Sequence, residues 1–150
     1  MVTPGTDASL EALLVAARAA AAQAYATRSG VHVGAAVLSA RGRVYAGCNV
    51  ENAAFPLGNC AEPSAIAAGV LAEGPGFRIA EVAVWAELRG KAFAISPCGG
   101  CRQRISELAV SPAVLVHFPW PGSELRSVTL GELLPFAFRM DGTADREPAA

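Results

Sequence analysis

Apolar residues recur first at Leu10, Leu13, Leu14, Ala17, Ala21, Ala24 and Tyr25. That is the spacing of one helix face, with Asp7 or Ser9 placed to cap its start and Gly30 shortly past its end. The period then changes. Residues 33–38 and 44–50 are short apolar or alternating runs around Ala40-Arg41-Gly42, which predicts an antiparallel hairpin. An irregular stretch holding Asn52, Pro56, Gly58 and Asn59 leads into residues 61–73, small and apolar with an early Pro63, which predicts a buried helix. Residues 81–86 read as a strand, 98–108 as a helix entered through Pro97, and 113–117 as a strand, so the second half alternates and implies parallel crossovers. The expected fold is α/β: one mixed β-sheet, a hairpin continued by parallel strands, with helices on both faces. A single domain over 1–150 is expected, with residues 1–8 and 139–150 as frayed tails.

The chain is 150 residues long, 53% apolar and 17% charged, and chains of this size bury roughly 70% of their unfolded surface without help from metals or disulfides. Any metal it binds is therefore expected to be functional. Twelve basic residues against thirteen acidic ones leave a net charge of -1, which disfavours a polynucleotide partner and suits a small neutral ligand. Four cysteines are too few for a disulfide-stapled secreted scaffold, and the N-terminus lacks a basic, then apolar, leader pattern. The most apolar run, residues 12–26, is broken by Arg18 and Gln23, so no membrane partner is expected and the location is read as cytoplasmic.

Candidate chemistry sits at two expected helix starts, Cys60-Ala61-Glu62 and Pro97-Cys98-Gly99-Gly100-Cys101. A helix N-terminus favours thiolate over thiol and so prepares soft ligands for Zn²⁺. Three protein ligands leave the fourth tetrahedral position to water, whose pKa zinc lowers to about 7, and Glu62 stands close enough in sequence to exchange its proton. Cys-x-x-Cys alone also serves thioredoxin-like redox chemistry; the third cysteine favours zinc. Cys48, on the alternation Val44, Ala46, Cys48, Val50, reads as a packing thiol, although as a fourth ligand it would close the site, as would His32 or His117. Asn49, Glu51 and Asn52 suit the turn after the second strand.

From about Tyr25 to Phe138 the sequence resembles the small cytidine deaminase family, through five ordered blocks. They are Val33-Gly34-Ala35-Ala36, Gly47-Cys48-Asn49-Val50-Glu51-Asn52-Ala53, Cys60-Ala61-Glu62, Ser96-Pro97-Cys98-Gly99-Gly100-Cys101-Arg102-Gln103 and Glu132-Leu133-Leu134-Pro135. The resemblance implies a three-layer α/β/α cytidine deaminase-like sandwich and a homotetramer, at least a homodimer, with active sites near subunit interfaces. It implies one Zn²⁺ per subunit on Cys60, Cys98 and Cys101, with Glu62 shuttling protons during deamination of cytidine or deoxycytidine. Asn49 and Glu51 would bind the ribose hydroxyls, the backbone at Ala61 would hold the pyrimidine, and Phe138 would stack on a base in a neighbouring subunit.

Two positions depart from the family. The residue after the glutamate is usually an arginine that hydrogen-bonds the zinc thiolates, and here it is Pro63, itself suited to a first helical turn. Zinc with three thiolates carries a formal charge of minus one, so a substitute donor is expected, with Arg102 and Arg104 as candidates. Upstream, Thr27-Arg28-Ser29-Gly30-Val31 stands where the family carries a proline, a tyrosine and a pocket phenylalanine. Val31 buries less area against a base, which brings in modified aminopyrimidine nucleosides or blasticidin-like nucleosides as alternative substrates. Pro63 brings in a non-catalytic zinc-binding homologue.

Overall fold

The computed structural model describes residues 1–122 and 124–140. Helix α1 (Asp7–Ala21) leads to strands β1 (Val31–Ser39) and β2 (Val44–Cys48), then α2 (Ala61–Glu73), β3 (Ile79–Leu88), a short β4 (Lys91–Ala92) and α3 (Gly99–Leu108). Strands β5 (Leu115–Trp120) and β6 (Glu124–Thr129) and a single turn, α4 (Leu130–Leu133), complete the described chain. The sheet runs β2-β1-β3-β5-β6, with β4 paired to β3. Both β2 and β3 are antiparallel to β1, so they run parallel to each other with α2 as their crossover. The second crossover, through α3, places β5 parallel beside β3, and β6 adds an antiparallel edge.

The central strands are apolar almost throughout because both sheet faces are covered. On one face Leu13 and Ala17 of α1 pack on Ala36, Leu38 and Ala83. On the other, Ala61 and Ala65 of α2 and Ile105 of α3 pack on Ala35, Val37, Val82 and Val84. The layers meet at glycines. A Cβ on Gly34 would stand 1.9 Å from the carbonyl oxygen of Ala17, and one on Gly47 would stand 2.4 Å from the backbone nitrogen of Ala65. Helix and strand backbones thus touch directly at both places.

Several expectations need correction. The α1 cap is Thr6, not Asp7 or Ser9: its hydroxyl accepts from the Ser9 N–H at 3.1 Å while the Ser9 hydroxyl accepts from the Thr6 N–H at 3.0 Å. The helix stops at Ala21 because Tyr25 is drawn into backbone pairing with Asn49 and Glu51. The N-terminal segment, expected to fray, is tied down: the Val2 N–H reaches the Gly42 carbonyl at 3.0 Å and the Gly5 N–H reaches the buried Glu81 carboxylate at 2.8 Å. At the other end, residues 141–150 lie outside the described residues. Strand β6 has no counterpart in the sequence reading, because among its described side chains only Val128 packs against the hydrophobic core.

Gly47→Ala is expected to lower folding stability by about 1–3 kcal/mol, since backbone, not a yielding side chain, occupies the space. Equilibrium denaturation against the parent protein measures it.

Candidate metal centre

Helices α2 and α3 begin on the same side of the sheet, and each begins with a cysteine in extended conformation at its N-cap, Cys60 and Cys98. The α2 entry is fixed by a local chain of contacts: the Asn59 amide donates to the Ser64 hydroxyl at 3.1 Å, and that hydroxyl donates to the Cys60 carbonyl at 3.2 Å. On α3, the Cys98 sulfur accepts from the Cys101 N–H at 3.4 Å. The result is a cluster in which the sulfurs of Cys60, Cys98 and Cys101 all lie within 4.8 Å of one another. Cys101 is buried, whereas Cys60 and Cys98 face solvent.

The donor set suits a soft divalent cation. Cys60 is drawn down to about 6, chiefly by the hydrogen bond from the Cys101 thiol, while Cys101 is pushed strongly upward by that same bond and by burial. One thiolate therefore forms readily, and further ionisation beside it is opposed by charge. A divalent cation removes that opposition, and three thiolates within 4.8 Å of one another with a solvent-facing side suit a zinc site with one position left for water.

Glu62, the second residue of α2, stands over this cluster with only 4% of its surface exposed. Burial raises its pKa above the ordinary carboxyl range, opposed by hydrogen bonds from its own backbone and from Cys101 and by the charge of Arg104. A carboxyl so poised can both take and return protons. Pro63 falls at the third helical position rather than the first, still within the turn whose N–H groups have no helical acceptor.

The two arginines considered beside the cysteines part company. Arg102 is fully engaged elsewhere: Nε donates to the Pro97 carbonyl at 2.8 Å, Nη1 to the Leu133 carbonyl at 2.9 Å and Nη2 to the Ser96 hydroxyl at 3.1 Å. It clamps the Cys98 loop to α4. Arg104 instead sits at the cluster, where its charge acts on Cys60 and Glu62.

The other residues singled out from sequence surround the same side of the sheet in part. Val31 packs at the edge of the core beneath α2 and α3, and Ala61 is fully buried in it. Asn49 clasps the start of β1, its carbonyl oxygen accepting from the Val33 N–H at 2.8 Å and its amide donating to the Val31 carbonyl at 3.0 Å, which leaves one further donor and acceptor site on the amide. The Glu51 carboxylate accepts from the Arg28 N–H at 2.6 Å, from the Ser29 N–H at 3.1 Å and from the Ser29 hydroxyl; the hydroxyl contact is the main reason its pKa falls below the usual range. Phe138 is 67% exposed, its backbone gripped by Gln103, whose amide donates to the Phe138 carbonyl and accepts from its N–H, each at 3.0 Å.

Cys48 lies on the α1 face opposite Gly34, away from the sulfur cluster. His117 is buried between Ser127 at 2.6 Å and Glu81 at 2.8 Å, and His32 pairs across the sheet with Glu87, so among the described residues neither histidine joins the cluster. Ser29 and Gln103 are contacts that sequence reasoning missed. Gln103 had a signal in its place two residues beyond Cys101; Ser29 had none, since its partner is 22 residues away.

Residues 7–117 match the family model for the cytidine and deoxycytidylate deaminase zinc-binding region. The chain is 36% identical over 129 residues to a cytidine deaminase of Sporosarcina psychrophila, covering 86% of this chain and 90% of that one. It is 39% identical over 122 residues to a cytidine deaminase of Mycobacterium tuberculosis, covering 81% and 84%. The crystal structure of cytidine deaminase from Burkholderia pseudomallei superposes with a TM-score of 0.71 at 44% identity, over 85% of this chain and 98% of that one. That of the Mycobacterium tuberculosis enzyme superposes with a TM-score of 0.73 at 36% identity, over 90% and 99%.

Metal analysis is expected to give one zinc per chain in the parent protein and in Cys48→Ser, and a loss of zinc in Cys98→Ser. The matched region, the shared fold and the three-cysteine cluster together establish that the chain belongs to the cytidine and deoxycytidylate deaminase family of zinc-dependent aminohydrolases.

Proposed function

We propose that the protein deaminates a free pyrimidine nucleoside, cytidine or deoxycytidine, to uridine or deoxyuridine with release of ammonia. The observation that carries this reading is the placement of a buried, upward-shifted carboxyl, Glu62, against a three-sulfur cluster open to solvent on one side. Cys60, Cys98 and Cys101 are assigned as the ligands of one Zn²⁺ per subunit. When bound, the ion supplies a water acidic enough to act as nucleophile near neutral pH.

Glu62 accepts one proton of the attacking water and delivers it to ring N3, then takes the second from the new C4 hydroxyl and gives it to the departing amine, so one water is consumed for each ammonia released. Burial keeps bulk water from competing for that proton. The backbone at Ala61, beside the Cys60 ligand, is assigned to hold the pyrimidine ring, and Val31, partly buried against the same core, is assigned to its floor. Asn49 keeps a free donor and acceptor for a ribose hydroxyl, and the Glu51 carboxylate is fixed in place by the Ser29 loop to receive another.

Phe138 is held by its backbone with its ring turned outward, an arrangement suited to stacking on a base bound in a neighbouring subunit. Exposed Phe55, Leu57, Leu71 and Phe136 likewise suit burial between subunits, and a homotetramer, at least a dimer, is the assembly proposed. No helix among the described residues is long and apolar enough to cross a membrane, and a cytoplasmic enzyme without a polynucleotide partner fits the balanced charge. A second reading, turnover of a modified aminopyrimidine or blasticidin-like nucleoside, is favoured by the small Val31 beside the Arg28 loop.

The test is absorbance loss with matching ammonia release when zinc-loaded protein meets cytidine, deoxycytidine and modified analogues. Glu62→Gln is expected to keep zinc and lose about 10²- to 10⁴-fold in kcat, the usual worth of a positioned acid–base group. Unchanged turnover in that variant refutes the assigned role, and turnover of a modified analogue alone favours the second reading.

A further inference from the structure

Arg104 has no place in the proposed reaction, yet its position is unusual. It lies three residues beyond Cys101 on α3, hence on the same helix face. Its Nη1 stands 3.0 Å from the point that a Cβ on Gly100 would occupy, and the Cys98 sulfur stands 3.9 Å from that same point. Guanidinium and sulfur therefore flank one bare Cα. A side chain at 100 would displace the guanidinium, so Gly100 is the notch that lets it approach.

We propose that Arg104 is the charge-balancing residue of the sulfur cluster, acting through the thiolates and not on substrate. The proposal rests on the reading that the three cysteines hold zinc. Zinc with three thiolates has a formal charge of minus one, and the Glu62 carboxylate adds another negative charge beside it. Among the described residues, the other arginine near the cluster, Arg102, spends its guanidinium on two carbonyls and a hydroxyl, and Pro63 has no donor to offer. Arg104 makes no ion pair with a carboxylate at contact distance among the described residues, and its guanidinium stands beside the Cys98 sulfur across the Gly100 notch. A cation beside the thiolates withdraws their electron density, which leaves the bound metal a stronger Lewis acid.

The experiment compares the parent protein, Arg104→Gln, Arg104→Lys and a distant control, Arg89→Gln, each substituted with Co²⁺ and each separately loaded with zinc. The sulfur-to-cobalt charge-transfer band is expected to move to longer wavelength in Arg104→Gln, because the sulfur electrons are then held less tightly. It is expected to stay near the parent position in Arg104→Lys and Arg89→Gln. With zinc bound at one equivalent throughout, kcat is expected to fall about 10- to 100-fold in Arg104→Gln, the usual cost of losing a partner of the metal ligands, and to recover in large part in Arg104→Lys. A parent band that Arg104→Gln leaves unmoved overturns the role of Arg104 while the zinc reading stands. A parent protein with no sulfur-to-cobalt band at all overturns the zinc reading and this proposal with it.

Discussion

Where Gly47 meets the first turns of α2, strand and helix backbones touch with no side chain between them. That close approach fixes how deep the N-terminus of α2 sits, and Cys60 and Glu62 are its N-cap and second residue. A methyl group at position 47 would lift the helix by the width of the contact and carry both residues with it. The approach of α1 to Gly34 secures β1 from the opposite face, so β1 and β2 are held between two helices that cannot slide outward without opening the core. Three sulfurs and a carboxyl can converge only on such a frame, since each comes from a helix end rather than from a regular repeat.

The site is also an electrostatic problem with a spatial solution. The hydrogen bond from the Cys101 thiol favours the first thiolate at Cys60, burial resists the ionisation of Glu62, and neighbouring sulfurs resist one another's charge. A divalent cation and a nearby guanidinium oppose that repulsion from two sides. Arg102 is excluded from this task by its clamp on Pro97, Ser96 and Leu133, a division of labour between two arginines of one helix turn that ties the Cys98 loop to α4 and gives the cluster its counter-charge.

Much of this was legible in the amino-acid sequence, for particular reasons. Helix α2 was readable to its end residues because residues 61–73 form one run of small apolar residues with no breaker beyond the early Pro63. The cluster was readable because three cysteines and a glutamate at two helix starts have few other uses. Strand β6 was not, since its pairing with β5 exists only once the sheet is assembled. The Thr6 cap escaped because a serine, not a glutamate, completes its box. Nor could spacing decide between Arg102 and Arg104: the deciding partner, the carbonyl of Leu133, lies 31 residues away.

Zinc K-edge X-ray absorption on the loaded protein tests the central claim, that three sulfurs hold the metal and leave one position open. The account predicts three sulfur scatterers at about 2.3 Å and one lighter atom at about 2.0 Å. Four sulfurs, or a shell with a histidine nitrogen in place of one of the three, would contradict it.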